Sequence, residues 1–280
     1  MNPGIYIDLP APEYRAAPGL CHSALRHIDQ TPAHFRAALE YPKPQTPAMR
    51  LGTLAHEAIL TGFPAQTLVA PPPTYTDDKG ATKPWNWNAS ACKAWRAAVE
   101  AEGRTVVSQD EFDAIKGMAD ACQNSRIVQT ILKGADTEVS WFADRNGVRV
   151  KGRIDIVPAH SDALVDLKTM PDISDASITR AVEDIGMETQ GAWYRWGWNA
   201  CRPEDKRRHH VIIFVQNQPP YAVRVLKLSD DYLWVAERRI QRWLDTYMRC
   251  IERDEWPGYP DDVGILNPTM WYLRRHGGDE

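Results

Sequence analysis

Residues 138–169 read EVSWFADRNGVRVKGRIDIVPAHSDALVDLKT, a pattern of three consecutive strands. Asn146-Gly147 suits a two-residue hairpin turn, because both residue types tolerate positive φ. The strand after the turn alternates. Val148, Val150, Gly152, Ile154 and Ile156 are expected on one face, and Arg149, Lys151, Arg153 and Asp155 on the other. Counting back from the turn sets Arg145 against Val148 and Glu138 against Asp155. A second reversal through residues 158–162 sets Asp166 across from Asp155. Neighbouring strands lie about 4.8 Å apart, so Glu138, Asp155 and Asp166 would form a row of mutually repelling carboxylates unless a cation neutralised them. A bulge in any of the three strands would break the row.

Oxygen ligands of this kind suit a hard divalent ion, Mg²⁺ above all. The third strand carries Asp166-Leu167-Lys168. Period two places the carboxylate and the ammonium on one side and Leu167 in the core. Such a pair fits a metal ligand beside a group that orients water or stabilises charge on a phosphate. The triplet alone is common, and an ordinary ion pair accounts for most of its occurrences.

Size and composition set bounds. The chain has 280 residues, enough for one large domain, and contains no stretch that reads as a flexible interdomain linker. One domain over 1–280 is expected, with an N-terminal arm and helices to residue 50, a core over 51–260 and a tail over 261–280. The class is α/β with a mixed central sheet flanked by helices. No apolar run reaches transmembrane length and no signal peptide opens the chain, so a soluble cytoplasmic protein is expected. The five cysteines, Cys21, Cys92, Cys122, Cys201 and Cys250, form no close pairs, which disfavours zinc, disulfide and iron–sulfur frameworks. A net charge of −4 does not advertise nucleic-acid binding, although positive potential is needed only along a binding track. Arg202, Lys206, Arg207 and Arg208 form one basic cluster, and Arg238, Arg239 and Arg242 another. Both read first as solvated surface.

Along the chain, residues 1–20 read as an extended arm. A short helix should end near Asp29, and Thr31-Pro32 should open another through Leu39. Residues 47–60 carry a helical stripe of Leu51, Leu54, Ala55, Ala58 and Ile59, stopped by Gly62. His56 lies on its other flank, one turn after Gly52. A lone helical histidine is ordinarily structural or solvent-facing. Residues 63–88 read as a long proline-rich loop with Lys79, Lys83, Trp85 and Trp87, where tryptophans could stack on bases or simply pack. Helices are expected over 89–102, 109–124 and 125–133, with a capping box at Ser108–Glu111. Residues 175–200 form a helical pattern with a break near Gly186, on which Gln190 and Tyr194 share a face. Strands over 210–216 and 221–228 precede a long amphipathic helix over 230–255 and an irregular aromatic tail. Residues 277–280 read as disordered.

Gly152-x-x-Asp155, ten residues, then Asp166-Leu167-Lys168 resembles the core of the PD-(D/E)XK nuclease superfamily. The chain is similar in particular to its RecE-like (exonuclease VIII) branch of phages and prophages. Residues 18–35, residues 51–60, Gln190-x-x-x-Tyr194, Trp256-Pro-Gly-Tyr and Pro268-x-x-Trp271 also match that branch. The resemblance implies a restriction-endonuclease-like core and a metal-dependent 5′→3′ exodeoxyribonuclease acting on linear duplex DNA. The product would be a 3′ single strand for an annealing protein in recombination. It implies that His56, Asp155, Asp166 and the Leu167 carbonyl hold Mg²⁺ or Mn²⁺, with Glu138 as a second-site ligand. Lys168 would position the nucleophile. Gln190 and Tyr194 would contact DNA or orient catalytic groups, and Lys151, Arg153 and Trp85 are taken as further DNA contacts. A ring-shaped homo-oligomer, a tetramer, is implied, in the cytoplasm of a bacterial host, with no membrane partner. Two rivals stay open: another PD-(D/E)XK activity, on branched or single-stranded DNA, and a DNA-end-binding protein without catalysis.

Overall fold

The computed structural model describes residues 1–62 and 68–276. The first third holds β1 (Gly4–Tyr6), α1 (Ala11–Ala16), β2 (Leu20–Cys21), α2 (His22–Leu25), a 3₁₀ turn over Arg26–Asp29, α3 (Pro32–Glu40) and α4 (Pro47–Thr61). Short strands β3 (Leu68–Val69), β4 (Thr74–Thr76) and β5 (Thr82–Pro84) lead to α5 (Ser90–Ala101), β6 (Thr105–Val106), α6 (Gln109–Asn124) and α7 (Arg126–Leu132). The central meander is β7 (Asp136–Arg145), β8 (Val148–Val157) and β9 (Ala163–Met170). After it come α8 (Asp175–Ile185), α9 (Met187–Cys201), β10 (His209–Gln216), β11 (Val223–Lys227), α10 (Asp230–Arg253) and α11 (Met270–His276). None of the described helices is long and apolar enough to cross a membrane.

Local signals explain many of the boundaries. Thr31, Thr46 and Ser108 accept backbone N–H bonds at the starts of α3, α4 and α6, and Ser108–Glu111 closes a full capping box. Gly186, at φ 76°, ends α8 and starts α9.

The main sheet runs β1-β7-β8-β9-β10-β11, with β9 and β10 parallel and the other neighbours along this path antiparallel. It is a mixed sheet between two helical layers. One face packs Ile154, Leu164 and Trp141 under α9, which contributes Trp193, and α10, and the other packs Ile156, Val165, Leu167 and Ile213 under α4 and α6. The hairpin register is the counted one, with Arg145 opposite Val148 and Thr137 opposite Ile156.

Four expectations are corrected. The N-terminal arm is not merely extended: β1 adds an edge strand to β7, and α1 lies against β7 and β8, with Tyr14 beside Phe142 and Lys151. Ile156 does not share a layer with Ile154, since the two lie in cores on opposite faces. The change of side falls at Asp155, across from Glu138, which takes φ 55° and leaves the ladder between Val139 and Thr137. A non-glycine residue at positive φ turns the chain locally and breaks strict alternation. Residues 68–88 are not a structureless loop, because β4 and β5 form a hairpin and β3 pairs with β6. The loop's first part, 63–67, and the tail end, 277–280, lie outside the described residues. The tail is not wholly irregular, since it forms α11.

Two histidines in the α9 layer carry a testable consequence. His22, whose Nε2 sits 2.8 Å from Thr189 Oγ1, and His210 are both buried. Burial, aided by the charge of Lys168, pushes each down to about 3. Both therefore stay neutral in the fold, while an unfolded chain takes up protons below about pH 6.5. Their contribution to stability is complete above that pH and is lost as the pH falls from there towards 3. The linkage slope allows about 2 kcal/mol for each between pH 7 and pH 5. Melting temperatures in EDTA should fall over this range, and less steeply for His22→Gln. An equal fall in that variant would assign the effect elsewhere.

Candidate active site

Strands β8 and β9 share the pair Ile156–Val165 and then splay apart, and β2 fills the widened gap by pairing with Val150 and Lys151. The gap opens at Asp155. Its carboxylate accepts the Leu167 N–H at 2.8 Å, a group the separated strands leave without a ladder partner. Asp166 and Lys168 follow on the far strand.

The helix α4 reaches this gap because Gly52 lies against β9. A Cβ at Gly52 would stand 3.2 Å from Thr169 Oγ1. One turn later His56 bridges two acids, with Nε2 3.0 Å from Asp155 Oδ2 and Nδ1 3.3 Å from Glu138 Oε1. The ligand atoms of His56, Glu138 and Asp155 all lie within 4.8 Å of one another. Arg153 fixes the other Glu138 oxygen through a short ion pair and also donates to Ser140 Oγ at 3.1 Å and the Leu9 carbonyl at 2.7 Å. Lys168 Nζ stands 2.6 Å from Asp166 Oδ2. The contact is off the hydrogen-bonding direction, so both buried Asp166 oxygens lack a directed partner.

The charges are strongly interdependent. Burial and then the nearby Asp155 carboxylate push Asp166 up to about 7. Burial also opposes the Asp155 charge, but His56, Lys168 and the Leu167 N–H outweigh it and hold that carboxyl well below its usual range. Burial opposes a charged Lys168, and the two aspartates outweigh it, so the ammonium persists. His56 is raised likewise, with Asp155 and Glu138 overcoming burial.

The site fits a divalent cation on its own chemistry. The close set of His56, Glu138 and Asp155, with the buried Asp166 carboxylate destabilised by Asp155 beside it, makes a donor set that suits a hard divalent cation. The arrangement differs in detail from the expected ligand set. Glu138 sits in the tight group with His56 and Asp155, whereas Asp166 turns to Lys168. Leu167 contributes its N–H to the contact with Asp155.

Gln190 and Tyr194 lie on α9 and bond to each other, Nε2 to Oη at 2.9 Å. Burial, then the charges of Asp155 and Asp166, raises Tyr194 far above an ordinary phenol. The tyrosine therefore stands near the acids as a neutral group. Behind it lies His210, its ring centroid 6.5 Å from that of Tyr194, and Gly191 leaves room for that imidazole. Sequence reasoning missed His210 and His22. Neither carries a periodic signal beyond that of an ordinary sheet or helix residue.

Three other residues expected to contact DNA are engaged within the fold. Lys151 is buried and its Nζ donates to the carbonyls of Tyr14, Arg15 and Ala17 at 2.9, 3.2 and 2.5 Å. It caps the C-terminal end of α1 and has no donor left for a phosphate. Arg153 is committed to Glu138, as described. Trp85 packs edge-on against Trp87 and Trp95, at 5.5 and 5.0 Å. The surface reading of the basic clusters also fails in part. Arg207 is buried with its guanidinium on Pro158 and Ser161 carbonyls, and Arg239 is tied to Asp29 and Glu188.

Replacing His56 with alanine should weaken Mn²⁺ binding at least about tenfold, the range that even supporting residues of metal sites command. Titration calorimetry reads this directly, and an unchanged affinity would remove His56 from the ligand set.

No curated protein matches the chain in sequence. A candidate exonuclease from Eubacterium rectale has a similar structure, with a TM-score of 0.64 over 98% of this chain and 100% of that chain at 13% identity. A phage-related exonuclease from Haemophilus somnus aligns over 60% of this chain and 85% of its own, with a TM-score of 0.33 and 12% identity. The first likeness establishes a shared fold. The family model of a PDDEXK-like domain of unknown function matches residues 21–267. With its splayed strands, paired aspartates and following lysine, this chain belongs to that PDDEXK-like domain family.

Proposed function

We propose that the chain is a divalent-metal-dependent exodeoxyribonuclease that degrades linear duplex DNA 5′→3′ and leaves a 3′ single strand for strand annealing. The observation that carries this reading is the meeting of Asp155, Asp166, Lys168 and His56 at one strand divergence. The polarity and the recombination role rest on the resemblance to the RecE-like branch.

His56, Asp155 and Glu138 would hold the cation, with Asp166 completing the site. A bound Mg²⁺ or Mn²⁺ neutralises charge on the scissile phosphate and makes water a better nucleophile. Lys168, kept charged by its two aspartates, donates to the attacking water or to a phosphate oxygen and does not act as a base. Arg153 holds Glu138 in place. Tyr194 and Gln190 form the wall on the α9 side, where a neutral phenol adds no charge to the acids. Water adds to phosphorus as the bond to the 3′ oxygen breaks, so the released nucleotide keeps its 5′-phosphate and the 3′ oxygen takes up a proton.

Linear duplexes labelled at the 5′ or the 3′ end, incubated with and without Mg²⁺, test this reading. Early release of the 5′ label only with the metal, and survival of closed circular DNA, are the expected results. Cutting of circles would point to an endonuclease, and no release with either Mg²⁺ or Mn²⁺ would point to end binding without catalysis.

A further inference from the structure

Three cations at alternate positions of β8 grip the start of the chain. Arg149 Nη1 donates to Met1 O at 2.6 Å, and Arg153 Nη1 donates to Leu9 O at 2.7 Å. Between them, Lys151 Nζ takes the carbonyls of Tyr14, Arg15 and Ala17. The Tyr14 ring lies against two of these charges, 4.9 Å from Lys151 and 5.8 Å from Arg153. Strand β1 completes the seat by pairing with β7 from Gly4–Phe142 to Tyr6–Ser140. Carbonyls that the short elements of the arm leave without ladder or helix partners are satisfied in this way.

Arg153 is the member of this trio that also touches the candidate metal ligands. Its Nε pairs with Glu138 Oε2, while Glu138 Oε1 faces His56 Nδ1 at 3.3 Å. Among the described residues these are the two partners of the Glu138 carboxylate. Packing does little to fix it. The residue takes φ 55° outside the ladder, and its side chain is 38% exposed. A glutamate with free rotamers loses affinity when a cation must immobilise it. A cation held by both His56 and Glu138 replaces their contact with each other, which leaves Arg153 to orient the carboxylate. The guanidinium is a rigid planar fork. With Leu9 O and Ser140 Oγ on Nη1 and Glu138 on Nε, its direction is set partly by the seated arm.

We propose that residues 1–17 are a positioning element for the metal site, acting through Arg153 on Glu138. The proposal rests on the metal reading of the site and adds a coupling to it. Linkage is reciprocal, so a seated arm strengthens cation binding by the same factor by which a bound cation seats the arm. Arg153 serves here as a positioning residue and not as a ligand.

Titration calorimetry with Mn²⁺ and amide hydrogen exchange, both on the full chain, test the coupling. Arg153→Met keeps the aliphatic stem and removes every donor. It should weaken Mn²⁺ binding about 10–100-fold, as the loss of outer partners of metal ligands does, and Arg153→Lys should recover part of the affinity. In a Glu138→Ala background the same change should alter affinity by less than about twofold, because the carboxylate that Arg153 orients is gone. An equal loss in both backgrounds would make Arg153 a structural residue and overturn the proposal. Saturating Mn²⁺ should slow exchange within residues 1–17 of the wild-type chain at least about fivefold, and Arg153→Met should lose that response. Unchanged exchange in the arm while Mn²⁺ binds overturns the proposal, as does protection that persists in Arg153→Met. A wild-type chain that binds no Mn²⁺ would instead refute the metal reading beneath it, so the two failures are told apart.

Discussion

Lys168→Ala should lower DNA cleavage about 10³-fold, the upper range for removing one preorganised charge donor from a transition state. The residue stands 2.6 Å from Asp166 and stays charged despite burial, held so by Asp166 and Asp155. Its removal leaves His56, Glu138 and Asp155 in place, so Mn²⁺ binding and duplex-end binding should persist. Asp166, already pushed up to about 7, loses its neighbouring cation and can take up a proton to relieve the cost. The variant should therefore remain folded. Rates of end-label release, with Mn²⁺ calorimetry on the same sample, separate the two roles. Wild-type cleavage would take Lys168 out of the mechanism. A loss of metal binding equal to the loss of rate would make it a structural partner of Asp166 instead.

The largest expected loss of stability comes from a methyl group at Gly152 or Gly197. Trp141 is fully buried between them, one glycine on its cross-strand partner and one on α9. A Cβ would come within 2.5 Å of its ring at Gly152 and 2.3 Å at Gly197. Both obstructions are faces of a fixed indole, which also packs against Trp193 at 5.9 Å and Trp196 at 6.2 Å. The ring has no flexible end that could move aside. Each Gly→Ala variant should cost about 3 kcal/mol, at the top of the usual overpacking range. Lifting α9 would also displace Gln190 and Tyr194 from the acids. Urea unfolding measures the cost, and Trp141→Leu should rescue part of it in a double-mutant cycle. A cost below about 0.5 kcal/mol in both variants would mean that the indole is not clamped.

The resemblance to the PD-(D/E)XK core began with Gly152-x-x-Asp155. The packing gives that glycine a physical purpose: it is the floor on which Trp141 lies. Nothing in the spacing of the motif discloses this, because the tryptophan sits on the preceding strand and its other glycine lies 45 positions further along. Lys151 is a similar case. Its alternation with Arg153 and Asp155 suggests a shared polar face, yet it is captured by carbonyls at the end of α1, more than 130 residues away in sequence. Gly52 was open to the opposite kind of reading, since a helical glycine one turn before a histidine signals close approach wherever the partner lies.

The chain alone determined the register of the meander, because a hairpin through Asn146-Gly147 is local and counting from it needs no knowledge of the rest. It also determined the starts of α3 and α6, where a hydroxyl within the same few residues satisfies the free N–H groups. Folding decided the remainder: the reversal of layers at Asp155, the placing of Glu138 within reach of His56, the turning of Asp166 toward Lys168 and the conversion of the N-terminal arm into an edge strand. Each of these pairs groups that are distant in sequence or competes for one cation or one donor. Periodicity records which side of its own element a residue occupies, and it holds no information about which partner wins that competition.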